Sequence, residues 1–454
     1  MPAVVQPSEQ MSGMTPMASG ELHRILICQP HGAVTVSTFL AQVRGLAVQL
    51  PEARHAINLC EDRYRFLLAF CAAAIRGQVT LLPSSRAPDI VDEVLARYPD
   101  SCCLGDGAIV PSPHSRYWRL PETLAEIDGD MPMLEATAVV AIGFTSGSTG
   151  APKANPKTWG SFGTSTAQNL AALHDLWPAQ QIPQLVATVP PQHMYGMEMS
   201  VLLPLLGPAA VHTARPFFPD DVARALNQVS APRLLVTTPV HLRALVEAGT
   251  RLPALAGIVT ATAPLSQAMA SAAEAEFGCE VREMFGSTET CIIARRRTAR
   301  DSAWSLLPGV QLAPQPDGTL VRAAHLDVPV MLADVIELEG DDRFHLRGRN
   351  TDLLEIAGKR ASLGDLTRKL LAIPGVSDGV VFQLEEADAA GVRRIAALVV
   401  APALSEAEIV ARLRTCIDPV FLPRPLRRVE MLPRNETGKL PRDALQALLR
   451  SGVQ

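Results

Sequence analysis

The chain has no long hydrophobic segment. Its most apolar stretch, residues 66–75, is far shorter than the roughly 20 residues that a membrane-spanning helix requires, and arginines at 63, 65 and 76 flank it. We therefore expect a buried helix there and no membrane span. Residues 1–20 contain no lysine or arginine, so no secretory leader is expected and these residues are predicted to form a disordered tail.

Paired cysteines and an excess of positive charge are also missing. The eight cysteines include no C-x-x-C pair, which argues against a zinc site or disulfide framework and favours a reducing, cytoplasmic location. The net charge of −5 leaves no basic surface typical of nucleic-acid or anionic-membrane binding. The three arginines at 295–297 are expected to form a solvated face or, alternatively, to meet an acidic carrier protein or a CoA phosphate.

The patterning that is present predicts more than one domain. A length of 454 residues suggests roughly two to three domains. Residues 21–349 alternate short apolar runs with helical patterns, which predicts a large, layered α/β domain. Residues 353–454 predict a small α+β domain, and the polar segment 350–352 predicts a hinge on which that domain rotates as a lid.

The most informative segment is residues 144–153, which reads Phe-Thr-Ser-Gly-Ser-Thr-Gly-Ala-Pro-Lys after an apolar run. Its glycines let backbone N–H groups turn toward an anion, and its hydroxyls and Lys153 add donors suited to a polyphosphate. A Walker A loop requires glycine before the lysine and Ser or Thr after it, whereas Pro152 and Ala154 stand here. The segment therefore predicts a phosphate-binding loop of another kind.

Several further segments, together with this loop, resemble the motifs of the adenylate-forming superfamily in their chain order. This superfamily includes acyl-CoA synthetases, aryl acid ligases and the adenylation domains of nonribosomal peptide synthetases. The segments are residues 190–197, 260–265, 284–289, 331–334, 343–349 and 433–442. The resemblance implies a large N-terminal domain, a hinge and a mobile C-terminal lid.

The resemblance also implies a nucleotide site that binds ATP. Lys153 and the hydroxyl-rich loop would hold the phosphates, Ala263 and Pro264 would contact the adenine, and Asp334 would bind the ribose hydroxyls. Thr262 stands where the family usually has glycine, so the adenine contact is expected to differ in detail. The implied nucleotide-binding residues are Thr145, Ser146, Gly147, Ser148, Thr149, Gly150, Lys153, Ala263, Pro264, Asp334 and Arg349.

Four residues carry the implied catalytic roles. Thr288 would touch the α-phosphate, and Glu289 would be the protein ligand of Mg²⁺, which prefers oxygen ligands and keeps several waters. Lys439 would bridge carboxylate and phosphate oxygens during adenylation. His193 would line the acyl pocket and the thiol tunnel, with Tyr195 expected beside it.

The implied reaction is ATP-dependent adenylation of a small carboxylic acid, followed by thioester formation on a phosphopantetheine thiol. The wording around residues 60–66 resembles the compact ligases of bacterial aryl polyene clusters, which favours a hydroxybenzoate-like acid and an acyl carrier protein as partner. One alternative is an acyl- or aryl-CoA ligase. Another is a non-catalytic relative that binds a nucleotide or a carrier protein.

Overall fold

The computed structural model describes most of the chain. The described residues are 13–30, 32–107, 116–145, 153–315, 318–349, 353–356, 359–387, 393–435, 438 and 440–451. Within them, no helix is long and apolar enough to cross a membrane. The stretch predicted to be a buried helix lies in the helix Arg63–Ile75, whose residues 66–73 have no exposed surface. Asp62 caps that helix by accepting a hydrogen bond from the Arg65 backbone N–H.

A six-stranded sheet forms the first layer of the large domain, in the order β10-β9-β5-β4-β6-β7. Its strands are β4 (His55–Asn58), β5 (Val79–Leu82), β6 (Ser101–Gly105), β7 (Tyr117–Arg119), β9 (Val139–Thr145) and β10 (Lys153–Thr158). The helices along this part of the chain are α1 (Val36–Ala47), α2 (Arg63–Ile75), α3 (Pro88–Arg97) and α4 (Trp159–Leu173).

An eleven-stranded mixed sheet forms the second layer, in the order β21-β22-β17-β16-β15-β14-β13-β11-β12-β2-β3. Its strands are β2 (Ile25–Gln29), β3 (Gly32–Thr35), β11 (Gln184–Ala187), β12 (Ala210–His212), β13 (Arg233–Thr237), β14 (Gly257–Thr260), β15 (Val281–Ser287), β16 (Cys291–Arg296), β17 (Trp304–Leu306), β21 (Asp334–Glu339) and β22 (Arg343–Arg349). The helices between these strands are α5 (Met194–Met197), α6 (Leu203–Leu206), α7 (Pro219–Asn227), α8 (Pro239–Glu247) and α9 (Gln267–Phe277), with a π-helical turn over Glu198–Leu202.

Two small sheets complete the large domain. One pairs β1 (Met14–Pro16) with β8 (Met133–Glu135), and the other joins β18 (Gln311–Gln315), β19 (Gly318–Arg322) and β20 (Val330–Leu332). The first pairing corrects part of the predicted tail, because residues 13–20 are structured and Met17 is fully buried. Residues 1–12 lie outside the described residues. A methionine side chain that packs into the core outweighs the polar composition around it.

The small domain contains residues 353–451 and has its own hydrophobic core. Its elements are β23 (Leu353–Ile356), β24 (Lys359–Ser362), α10 (Leu363–Leu371), β25 (Asp378–Ala387), β26 (Arg393–Val400), α11 (Glu406–Leu413), β27 (Leu426–Arg428) and α12 (Arg442–Ser451). Leu366, Leu370, Ile409 and Leu413 are buried in this core. The predicted large α/β domain followed by a small α+β domain is confirmed. The predicted hinge, residues 350–352, lies outside the described residues.

Candidate active site

The predicted phosphate loop connects the two strands of a β-hairpin. β9 ends at Thr145 and β10 begins at Lys153, and these residues lie opposite each other in the antiparallel register. A Walker loop joins a strand to a helix, so the hairpin agrees with the exclusion of that motif. Ser146, Gly147, Ser148, Thr149 and Gly150 lie outside the described residues, and their phosphate contacts remain predictions.

The hairpin lies against the turn that carries Thr288 and Glu289. The Thr145 hydroxyl donates to Glu289 Oε1 at 3.1 Å across 144 residues of sequence. Gly143 leaves room for Thr288, because a Cβ atom on this glycine would lie 2.6 Å from Thr288 Cγ2. Two segments that are far apart in the sequence therefore lie side by side.

His193 lies in the same cleft as Thr288. The cleft is lined by the end of β5 with the residues after it, the end of β9, and the segment that precedes α5. Gln192 fixes that segment by donating from Nε2 to the carbonyl of Cys60 at 2.6 Å. Tyr195 is buried, its hydroxyl donates to the Val259 carbonyl at 2.9 Å, and burial raises its pKa well above the usual range. Its predicted role beside the acyl group remains a prediction.

A buried lysine, which the sequence analysis missed, holds the backbone of the Glu289 turn. Lys157 is 4 % exposed and donates from Nζ to the carbonyl of Glu289 at 2.7 Å. His325 donates from Nε2 to the carbonyl of Thr290 at 2.6 Å. The sequence could have indicated Lys157 through its spacing. It lies four residues after Lys153, and in a strand this spacing places both lysines on the same face.

A buried carboxylate, also missed, lies beneath this turn. Glu198 is 2 % exposed, and its carboxylate accepts hydrogen bonds from Ser165 Oγ at 2.6 Å and Asn169 Nδ2 at 3.1 Å. It also accepts the backbone N–H of Ile292 at 3.1 Å. Burial raises the pKa of Glu198, although the hydrogen bonds oppose that shift. A single acidic residue within an apolar segment was the signal, because such residues are buried only when they have partners.

The predicted adenine segment follows β14, next to the strand that leads to Glu289. β14 and β15 are parallel neighbours, so their carboxyl ends lie at the same edge of the sheet, where α/β folds bind ligands. Thr262 has φ of +82°, a left-handed conformation that is rare for a β-branched residue. The chain therefore keeps the backbone shape of the glycine expected there. Ala263 is half-buried and Pro264 is exposed.

Asp334 and Arg349 lie opposite each other across the β21–β22 ladder. Asp334 is 7 % exposed, and its carbonyl accepts the Thr319 hydroxyl at 2.6 Å. Their contacts with ribose and phosphate remain predictions.

Gly438, the neighbour of Lys439 in the sequence, lies near the predicted adenine segment. Lys439 lies outside the described residues, but Gly438 is described, and a Cβ atom on it would lie 4.0 Å from Ala263 Cβ and 4.0 Å from Thr262 Oγ1. Arg434 donates from Nη1 to the carbonyl of Gly438 at 2.8 Å. The small domain thus contributes residues 434, 435 and 438, the Gly438 loop, at the edge of the predicted nucleotide site.

The side chains suit a magnesium ion that is held mainly by phosphates. Among the described residues, no group of three or more His, Cys, Asp or Glu side chains could enclose a metal. Glu289 is half-buried and offers one carboxylate beside the Thr145 hydroxyl. Mg²⁺ in phosphate-transfer sites needs one or two carboxylates in addition to phosphate oxygens and water, so this arrangement fits it.

The chain is similar in sequence to known enzymes. A family model described as AMP-binding enzyme matches residues 39–322. The 4-coumarate–CoA ligase of Rhodobacter capsulatus is 32% identical over 68% of this chain and 77% of its own length. The 3-hydroxybenzoate–CoA/4-hydroxybenzoate–CoA ligase of Thauera aromatica is 30% identical over 26% of this chain and 24% of its own length.

A solved structure shares the fold across both domains. The o-succinylbenzoate CoA synthetase of Bacillus subtilis, in complex with its acyl-adenylate intermediate, superposes with a TM-score of 0.78. The match covers 93% of this chain and 95% of that one at 18% identity. At that identity, the similarity shows the fold alone.

Proposed function

The chain belongs to the AMP-binding enzyme family and is an AMP-forming acid–thiol ligase, and from this premise we propose that it converts an aromatic carboxylic acid into a thioester through an acyl-adenylate. The observation that carries the proposal is the hydrogen bond between Thr145 and Glu289, with Thr288 at their side. It joins a predicted phosphate loop to a predicted magnesium ligand.

In the first half-reaction, a carboxylate oxygen of the acid attacks the α-phosphorus of ATP, and the bond to pyrophosphate breaks. The protein's part is to position the reactants and to offset charge, since little covalent chemistry falls to side chains. Thr288 would donate to the α-phosphate, while Lys153 and Lys439 would neutralise phosphate and carboxylate oxygens. Glu289 would hold Mg²⁺, which neutralises phosphate charge when bound.

In the second half-reaction, a phosphopantetheine thiol attacks the acyl carbon. AMP leaves, a thioester forms, and the thiol proton passes to solvent. The cleft beside His193 is the proposed position of the acyl group. Exclusion of water from this cleft would protect the reactive mixed anhydride from hydrolysis.

The aromatic substrate class is supported by the names of two relatives, a 4-coumarate–CoA ligase and a hydroxybenzoate–CoA ligase. We propose an acyl carrier protein as the thiol partner, on the resemblance to compact aryl ligases. The second candidate function is that of an aryl-CoA ligase, which the same two names favour.

The test is pyrophosphate release with Mg·ATP and a panel of acids: 4-coumarate, 3-hydroxybenzoate, 4-hydroxybenzoate, malonate and octanoate. We expect release with at least one aromatic acid and little with the two aliphatic acids. Thioester yield is then measured with CoA and with a holo acyl carrier protein. Preference for an aliphatic acid would refute the substrate class, higher yield with CoA would favour the second candidate, and no release with any acid would favour a non-catalytic relative.

A further inference from the structure

We propose that Arg243 is a positioning residue for adenylation: its ion pair with Asp378 holds the small domain in the pose that presents the Gly438 loop to the nucleotide site. The inference rests on the proposed function. It assigns to α8, outside the motifs discussed above, a role in one half-reaction.

The ion pair crosses from the large domain to the small one. Arg243 lies on α8, Asp378 is the first residue of β25, and Arg243 Nη1 is 3.4 Å from Asp378 Oδ2. The side chains are 26% and 12% exposed, so solvent screens the pair less than it would at an open surface. Among the described residues, no hydrogen-bond acceptor faces the buried Arg243 Nε. The negative charge of Asp378 therefore offsets the free-energy cost of burying the Arg243 guanidinium.

Asp378 also binds Arg434, which in turn contacts Gly438. Arg434 donates from Nη2 to Asp378 Oδ1 at 2.7 Å and from Nε to Oδ2 at 3.0 Å. The same guanidinium donates from Nη1 to the carbonyl of Gly438. Charge-assisted, bidentate hydrogen bonds between arginine and a carboxylate fix orientation as well as distance. A continuous chain of polar contacts thus connects α8 with the Gly438 loop.

A second residue of α8, Val240, also lies against Gly438. A Cβ atom on Gly438 would lie 3.3 Å from Val240 Cγ2. Gly438 has φ of +78°, a conformation that glycine adopts readily and other residues rarely do. Val240 and Arg243 are three residues apart on one helix, so they lie on the same face.

A rotation of the small domain would preserve some of these contacts and break others. The bonds from Arg434 to Asp378 and Gly438 lie within the small domain and would move with it. The ion pair with Arg243 crosses the domain boundary and would break. Arg243 therefore stabilises the adenylating pose and contributes nothing to a rotated one.

The first test separates the two half-reactions. With the aromatic acid that the wild-type enzyme uses best, Arg243→Ala should lower the single-turnover rate of acyl-adenylate formation by about 3- to 10-fold. Thioester formation from chemically supplied acyl-adenylate should be unchanged or faster, and Arg243→Lys should restore part of the adenylation rate. The matched control is Arg224→Ala, which removes an arginine ion pair with Asp221 within neighbouring α7.

The second test measures the domain pose without activity. Cys416 is exposed, whereas burial raises the pKa of the Cys279 thiol to about 12 and the other six cysteines are buried. A dye on Cys416 and another on Val48→Cys, at an exposed position of the large domain, would report the interdomain distance by energy transfer. Arg243→Ala should decrease the population at the wild-type distance in the presence of ATP and Mg²⁺, and Arg224→Ala should not.

Two outcomes would overturn the proposal: equal losses in both half-reactions, or an unchanged distance distribution together with a wild-type adenylation rate. Failure of the proposed function would look different. The wild-type enzyme would then release no pyrophosphate with any acid, while the distance measurement would still report on the ion pair.

Discussion

The two sides of the candidate site are held in different ways. On the large domain, buried groups from several elements fix the Glu289 turn: Lys157 on β10, Glu198 in the π-helical turn and His325 between β19 and β20. On the small domain, the contact with α8 consists of a partly exposed ion pair and a glycine that packs against Val240. Buried polar networks hold fixed geometry, whereas small polar contacts between domains permit motion.

The two domains also have separate hydrophobic cores. The largest core includes Phe66, Phe70 and Trp159 of the large domain, whereas Leu366 and Ile409 belong to a separate core within the small domain. Each core closes within its own domain, so a rotation at the predicted hinge need not expose either one. These contacts favour precise placement on the large domain and are compatible with the predicted rotation of the small one, and four variants test this division.

The largest effect is expected at the mobile side, with Lys439→Ala. Loss of one charge-stabilising donor should slow acyl-adenylate formation by roughly 10²–10³-fold. Transfer from supplied acyl-adenylate should be nearly unaffected, because the predicted rotation of the domain would by then have carried this residue away. Single-turnover rates for both half-reactions in the same variant are the measurement. Equal losses in both would assign Lys439 to folding or nucleotide binding.

On the fixed side, Glu289→Gln should lower pyrophosphate release by about 10²-fold, because an amide is a weaker ligand for Mg²⁺ and does not offset its charge. Release rates are measured over a Mg²⁺ titration. Glu337→Gln is the control, since Glu337 is an exposed carboxylate that pairs with Arg347. Normal release by the Glu289 variant at saturating Mg²⁺ would refute the ligand assignment.

A packing change on the fixed side should act through Thr288. Gly143→Ala would place a methyl group 2.6 Å from Thr288 Cγ2 and 3.3 Å from Met194 Cε, so Thr288 must shift. We expect a roughly 10-fold lower kcat/KM for ATP, because small displacements of positioned groups are costly. The control is Gly163→Ala in α4, where a Cβ atom would meet nothing within 4 Å. Equal kinetics for both variants would contradict the role of Thr288.

The smallest effect on activity is expected from Glu198→Gln, which should instead destabilise the large domain. An amide cannot accept from all three donor groups, and a buried donor left unpaired costs about 1–3 kcal/mol. Because burial raises the folded-state pKa of Glu198 above its usual 4.5, the stability that this group contributes is present below pH 4.5. That stability is lost as the pH rises through the folded-state pKa.

The difference in unfolding free energy between wild type and Glu198→Gln should therefore narrow as the pH rises. Urea unfolding followed by tryptophan fluorescence measures it, since all four tryptophans, at 118, 159, 177 and 304, belong to the large domain. A difference that widens with pH would mean that the hydrogen bonds of Glu198 outweigh its burial.

Local patterns predicted the elements that have strong periodicity or length. The buried helix α2 follows from a continuous apolar run, and the two-domain layout follows from the change of pattern near residue 353. The predicted tail failed at Met17, because one buried side chain leaves little trace in composition. The expectation of a solvated face at 295–297 was also wrong in part. Arg296 forms an ion pair with Glu283 and Arg297 forms one with Glu274, each at 2.7 Å.

The sequence by itself determined the family and the residues of the proposed chemistry, because glycines, hydroxyls and charges in short ordered segments mark backbone shapes and donors locally. The tertiary structure alone decided which segments meet: Thr145 with Glu289, Lys157 beneath them, and Arg243 with Asp378. Long-range partners depend on how whole sheets and helices pack. A pattern that is read along the chain gives the period of each element but not the side chain it will face.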